Sequence, residues 1–329
     1  MENLTIQEVA PPAYTDFVLP FWQAARNDGQ RCAILTIIGS TGSSPRPVGS
    51  QLAVREDGLT AGLLSGGCIE SALVLDALRA IRTRTNYIER YGAGSRFIDL
   101  RLPCGSGIDI YFDTAMPDAI GNDILDRLAA RQPVNLLIDT INHQHRLMDD
   151  TTQHPSQLIA GQYIRNYLPM CKLVIAGSGQ ILVSLAELCR ASEIEVEIAT
   201  TDRQTLKILQ ATGFDCQWMP RWSSHDWSAL DRWTALAILT HDHDDEADIL
   251  APALASNAFY IGALGSRKTQ TNRVKSLQAM GLSETTITRI KGPIGIPIGA
   301  ATPPEIAVSV LAELISHWRQ GPARNRISL

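Results

Sequence analysis

Two cysteines in glycine-rich surroundings are the first residues able to do chemistry. Ser65-Gly66-Gly67-Cys68-Ile69-Glu70 sets Cys68 at or near a helix start. There the positive end of the helix lowers a thiol pKa and favours the thiolate. Leu102-Pro103-Cys104-Gly105-Ser106-Gly107 presents Cys104 on a second loop of the same kind. A single cysteine is ordinarily a small buried hydrophobe, and Cys32, Cys171, Cys189 and Cys216 sit in apolar or periodic contexts that read as core. A chemical role is expected for at least one of Cys68 and Cys104.

A second group is Thr240-His241-Asp242-His243-Asp244-Asp245-Glu246, which closes an apolar strand. Two histidines beside several carboxylates suit metal binding or acid–base work. The i, i+2 spacing does not put His241 and His243 on one helix face, and Thr240 or Asp242 could equally cap the next helix. Three further segments suit anions. Val174–Gly179 puts Gly177 and Gly179 between a strand and a helix, offering a tight turn and free N–H groups. Tyr260–Arg267 runs through Gly265 and Ser266 to Arg267, and the small-residue loop Gly39–Arg46 ends in Arg46. The dinucleotide fingerprint is incomplete. Leu182 stands where its third glycine belongs, and the second strand ends Thr200-Thr201-Asp202-Arg203. Asp202 is one residue late to hold a ribose, and Arg203 favours a phosphate. A dinucleotide-type fold is expected here, without bound NAD(P).

The elements that must carry these residues divide near 150–170. Before that point short strands and glycine turns dominate. A helix is expected over Ala13–Asn27, strands over Cys32–Ile38, Ile108–Phe112 and Val134–Ile138, and a hairpin around Asp57-Gly58. Helices are expected over Ile69–Arg82 and near Ile120–Arg131. After it, strands Lys172–Ala176, Glu195–Thr200, Ala235–Thr240 and Phe259–Ile261 alternate with helices, which implies a parallel sheet covered on both faces. Thr302-Pro303-Pro304-Glu305 reads as a capping box. The fold class is therefore α/β: a mixed α/β N-terminal domain (1–155), a linker (156–170), and a Rossmann-like doubly wound C-terminal domain (171–329).

Composition narrows the function classes. The 329 residues carry a formal charge of -5, which disfavours a general nucleic-acid binder. No apolar stretch is long enough to span a bilayer, and the N-terminus has no apolar core of a secretory signal. Six scattered cysteines without CxxC spacing disfavour a zinc ribbon or a disulfide framework, so a cytoplasmic protein is expected.

The segments at 39–52, 65–70, 102–107, 174–180, 240–246, 260–267 and 293–310, taken in order, resemble the xanthine dehydrogenase accessory protein (XdhC/CoxI) family. The resemblance implies an XdhC/CoxI-type N-terminal domain joined to a Rossmann domain, often as a homodimer. It implies a maturation chaperone rather than a turnover enzyme. Its cargo would be the molybdenum cofactor, as molybdopterin or its cytosine dinucleotide. Its partners would be a cysteine desulfurase and an apo molybdenum hydroxylase of the xanthine oxidase class. Arg46 and Arg267 would then receive cargo anions, and a thiolate at Cys68 or Cys104 could touch molybdenum or a transferable sulfur. Gly177, Gly179, His241, Asp242, His243, Gly265 and Ser266 complete the candidate set. Two other classes compete. An NAD(P)-dependent oxidoreductase would use Gly177–Gly179 with His241 or His243 as proton donor, and a metal-dependent hydrolase would use His241, Asp242 and His243. Relatives in the family usually carry a small residue where Leu182 stands and an acid where Thr201 stands.

Overall fold

The computed structural model describes residues 17–44, 46–67, 69–96, 105–148, 158–240 and 246–321. Along the chain, two compact units divide between Pro169 and Met170. The first contains α1 (Leu19–Asn27), β1 (Cys32–Thr41), β2 (Gln51–Arg55), β3 (Thr60–Gly62), α2 (Glu70–Thr83), β4 (Tyr87–Gly92), β5 (Gly107–Asp113), α3 (Asp118–Ala129), β6 (Val134–Asp139), β7 (Gln144–Met148), β8 (Leu158–Ile159) and β9 (Gln162–Tyr167). They form two antiparallel sheets, ordered β3-β2-β1-β5-β4 and β7-β6-β9-β8.

Alternation along β1 explains the layering. Ala33, Leu35 and Ile37 join a core with Leu73, Ala77 and Ile81 of α2. Cys32, Ile34 and Ile38 join another with Trp22 of α1, Ile124 of α3 and Leu136, Tyr163 and Tyr167 of the second sheet. A register shift between Ile37 and Gly39 ends this alternation near the glycine loop. The first helix begins at Leu19, with Pro20 in its first turn, where a missing N–H costs nothing. Residues 13–16 of the expected helix lie outside the described residues.

One expectation is corrected. Much of 156–170, read from sequence as a linker, carries β8 and β9, and β9 pairs with β6 from Val134↔Tyr167 to Asp139↔Gln162. Its polar residues Arg165 and Asn166 are buried, which hid the strand from a reading based on apolar pattern.

The second unit contains β10 (Lys172–Gly177), α4 (Gln180–Ala191), β11 (Glu195–Thr200), α5 (Arg203–Ala211), β12 (Cys216–Trp218), β13 (Thr234–Leu239), α6 (Ala247–Ala255), β14 (Tyr260–Ala263), α7 (Arg267–Ala279), α8 (Glu284–Ile287), β15 (Ile290–Lys291) and α9 (Pro303–Gln320). The strands form one parallel sheet ordered β12-β11-β10-β13-β14-β15. Both faces are covered, so the central strands are continuous apolar runs, and β13 is buried throughout. Leu173 and Ile175 face α4 and α9, whereas Val174 and Ala176 face α6 and α7. Leu182, at the third fingerprint position, is fully buried in the first of these cores. Thr302 and Glu305 form the expected capping box on α9. Among the described residues no helix is long and apolar enough to cross a membrane.

Candidate functional site

The strand order of the second unit places β10 between β11 and β13. The chain winds outward in opposite directions from this point, and in such sheets ligands bind in the crevice beyond the strands' carboxyl ends. Gly177 ends β10, Thr240 follows β13, and Leu264–Arg267 follow β14. Three motif segments thus leave neighbouring strands at one edge.

Their backbones are tightly fixed. A Cβ on Gly177 would lie 2.3 Å from the Leu239 carbonyl oxygen, so only glycine lets β10 approach β13 here. Gly179 has φ 86° and caps α4. Its N–H donates to Thr205 Oγ1 at 3.0 Å, and that hydroxyl donates to Asp202 Oδ2 at 2.6 Å. Asp202 also accepts from the Thr205 N–H at 2.8 Å, capping α5. The Thr205 hydroxyl and N–H hold the Asp202 carboxyl below its usual range. Asp202 is therefore engaged within the protein rather than held out for a ribose. The N–H groups of the first turn of α4, from Gln180 to Leu182, have no intrahelical acceptor by helix geometry and remain the anion donors of this turn.

Ser266 is likewise engaged. It caps α7 reciprocally with Thr269, its Oγ accepting from the Thr269 N–H at 3.1 Å. A Cβ on Gly265 would meet the Thr269 side chain at 2.8 Å. Arg267, the first residue of α7, is exposed beside this cap.

Behind these loops lies a network that sequence reading missed. Arg273 and Glu246 form a buried ion pair, each side chain 3% exposed. Arg273 Nε donates to Glu246 Oε2 at 2.8 Å and Nη2 to Oε1 at 3.1 Å. The same guanidinium donates to the Leu264 carbonyl at 2.7 Å and to Gln270 Oε1. Thr240 Oγ1 donates to Glu246 Oε1 at 3.2 Å. One arginine thus ties the loop after β14 to the end of the acidic segment that follows β13. Its position on an otherwise polar helix offered no sequence signal.

In the first unit, β1 and β3 run in the same direction, and β5 runs opposite to both. The loop after β1, the loop after β3 and the segment before β5 therefore leave the same end of the sheet. Arg46 lies on the first of these. Thr41 pairs with Gly107, and a Cβ on Gly42 would touch Ser106 at 3.5 Å, so the first and third segments adjoin. Arg90, also missed, joins them. It donates to Thr41 Oγ1 at 2.5 Å, to both Asp109 carboxylate oxygens at 2.9 Å and to the Ala93 carbonyl at 2.8 Å. Arg46 is half-buried, and its carbonyl accepts from Ser44 Oγ at 2.6 Å.

Glu70 organises the remaining loop. Its carboxylate accepts from the N–H groups of Ser65 at 2.7 Å, Gly67 at 2.8 Å, Leu64 at 3.2 Å and Ile69 at 3.3 Å, and from the Ser65 hydroxyl. Burial pushes the Glu70 pKa up, but these hydrogen bonds outweigh it and hold the carboxyl below its usual range. This negative charge in the first turn of α2 competes with the dipole expected to favour a thiolate at Cys68.

Cys68, Cys104, His241, Asp242 and His243 lie outside the described residues. Cys32, Cys171, Cys189 and Cys216 are buried. Burial pushes the Cys32 and Cys189 thiols up to about 12 and that of Cys216 up to about 11. Among the described residues, no group of three or more histidine, cysteine, aspartate or glutamate side chains is placed to hold a metal.

Fold and loops together define a two-unit protein whose second unit is a Rossmann-like sheet. Residues 173–314 match the XdhC Rossmann domain, and residues 25–92 match the XdhC and CoxI family. The chain is 31% identical to the molybdenum cofactor insertion chaperone PaoD of Escherichia coli (strain K12), an alignment covering 91% of this chain and 87% of that one. It is 26% identical to a probable xanthine dehydrogenase component of Bacillus subtilis (strain 168), over 89% of this chain and 94% of the other. A solved xanthine dehydrogenase structure from Bacillus halodurans shares the fold, with TM-score 0.76, 20% identity, and 92% and 96% of the two chains covered. The chain belongs to the XdhC/CoxI family.

Proposed function

We propose that this protein is a molybdenum cofactor chaperone of the cytoplasm. It takes the cofactor as molybdopterin or its cytosine dinucleotide and shields it while a cysteine desulfurase supplies sulfur. It then passes the cofactor to an apo molybdenum hydroxylase of the xanthine oxidase class, acting as a homodimer and without turnover chemistry of its own. The observation that carries this reading is the likeness to PaoD along 91% of the chain. The geometry supports it. The loops of each unit gather at one sheet edge, as holding an anionic cargo requires. In this reading Arg46, Arg267 and the first-turn N–H groups of α4 receive cargo anions. Cys68 and Cys104 supply thiolates to molybdenum or a transferable sulfur. His241, Asp242 and His243 contribute to cargo binding, and Gly177, Gly179, Gly265 and Ser266 shape the backbone around it. The engagement of Asp202 as a helix cap disfavours an NAD-dependent oxidoreductase.

The test is cofactor capture. The full chain is mixed with isolated cofactor, and retained molybdenum and pterin are counted for wild type, Cys68→Ala and Cys104→Ala. Near-stoichiometric retention by wild type supports the chaperone, and loss in either variant assigns that thiol. No retention by wild type, with NAD(P) bound instead, overturns the reading.

A further inference from the structure

Of the six tryptophans, Trp22, Trp222, Trp227, Trp233 and Trp318 are at most 5% exposed, whereas Trp218 is 38% exposed. Trp218 ends β12, opposite Thr200 at the end of β11. The Met219 N–H donates to the Thr200 carbonyl at 2.8 Å and fixes the strand end there. Arg203, the first residue of α5, lays its guanidinium over the indole with Cζ 4.4 Å from the ring centroid. Arg203 is exposed, and its guanidinium makes no ion pair or hydrogen bond among the described residues. A planar cation stacked on an exposed indole is the pair that receives nucleobases on sequence-tolerant platforms.

Position adds to composition. The stack stands at the carboxyl edge where ligands of such sheets bind. Two strand spacings, about 10 Å, separate β12 from β10 and its glycine turn, which is the reach of a mononucleotide. The carboxylate of the neighbouring Asp202 is spent on Thr205 rather than on the guanidinium of Arg203.

We propose that Arg203 and Trp218 form a nucleotide subsite of the Rossmann unit, with the base on the stack and the phosphate directed toward the glycine turn after β10. This rests on the chaperone reading in one respect: it assigns the nucleotide-bearing form of the cofactor as cargo.

The test titrates the full chain with cytidine 5′-monophosphate, adenosine 5′-monophosphate and inorganic phosphate, followed by isothermal calorimetry. Wild type is expected to bind a nucleotide at one site per chain and inorganic phosphate at least about tenfold more weakly, since the stack contributes only to the base. Trp218→Ala is expected to weaken nucleotide binding about 5- to 150-fold, the range for one lost base-stacking contact. Arg203→Ala is expected to weaken it too, whereas Trp218→Phe keeps most of it. Both side chains are exposed, and the wild-type titration stands without any variant. Absence of saturable nucleotide binding by wild type overturns the subsite, as does unchanged affinity in Trp218→Ala. Capture of nucleotide-free and nucleotide-bearing cofactor is measured in parallel. Equal retention of both forms without nucleotide binding sinks the subsite and leaves the chaperone standing. Nucleotide binding without retention of either form does the reverse.

Discussion

Replacing Arg273 by methionine removes the guanidinium that reaches Glu246, the Leu264 carbonyl and Gln270 together. The Glu246 carboxylate, 3% exposed, would keep only the Thr240 hydroxyl among the partners described above. Breaking a buried pair from one side costs about 3–5 kcal/mol, because the surviving charge stays desolvated. A domain has only about 5–15 kcal/mol to lose. With a urea dependence of about 2 kcal/mol per molar, the midpoint of the second unit should fall by about 2 M. Five of the six tryptophans lie in that unit, so fluorescence reads its transition. Combining Arg273→Met with Glu246→Leu should return most of the loss, since an apolar pair of similar volume often matches a buried ion pair. The orphaned Thr240 hydroxyl and Leu264 carbonyl would leave about 1–3 kcal/mol unrecovered. A single variant within about 1 kcal/mol of wild type, or a double variant less stable than Arg273→Met alone, would refute the view that this pair is tightly desolvated.

Three other outcomes follow from the packing. Gly177→Ala should cost about 1–3 kcal/mol, since its Cβ must displace the Leu239 backbone; an unchanged urea midpoint would show that β13 yields freely. The folded-state pKa of Glu70 lies below its ordinary value, so its stabilising contribution is present above about 4.3, the unfolded value, and fades as pH falls through the folded one. Protection factors at Gly67 and Ile69, taken relative to intrinsic exchange at each pH, should accordingly fall on acidification, and at pH 6 Glu70→Gln should show faster exchange than wild type; equal protection there would remove Glu70 as the loop's organiser. Thiol labelling of the folded protein at pH 8 should spare Cys32, Cys189 and Cys216, whose burial suppresses the thiolate, and fall first on Cys68 and Cys104. Peptide mapping checks this, and prompt labelling of the buried three would contradict their placement.

The parallel sheet was legible because strands buried on both faces must be apolar throughout, as Leu173–Ala176 and Ala235–Leu239 are. The glycine turn was legible because steric freedom is written in the residue type. The strand Gln162–Tyr167 was not, because Arg165 and Asn166 are polar residues buried in a sheet. Among site residues, the positions of Gly177 and Ser266 were readable, but their internal engagements were not. Thr205 and Thr269 reveal themselves as capping partners three residues beyond Asp202 and Ser266. Arg90 and Arg273 act across long sequence separations, where spacing carries no information. Glu70 stood within a recognised motif, yet its hold on the backbone of that loop emerges only in three dimensions.

The hydrogen bond from Thr240 to Glu246 joins the end of β13 to the start of α6. For any connection whose ends are held, closure entropy changes slowly with length, about 0.6 kcal/mol per doubling. A clamped connection of this kind can change in length at little cost in fold stability. The clamp thus separates what holds the fold, namely Thr240, Glu246 and Arg273, from the connection between them, which is left to vary.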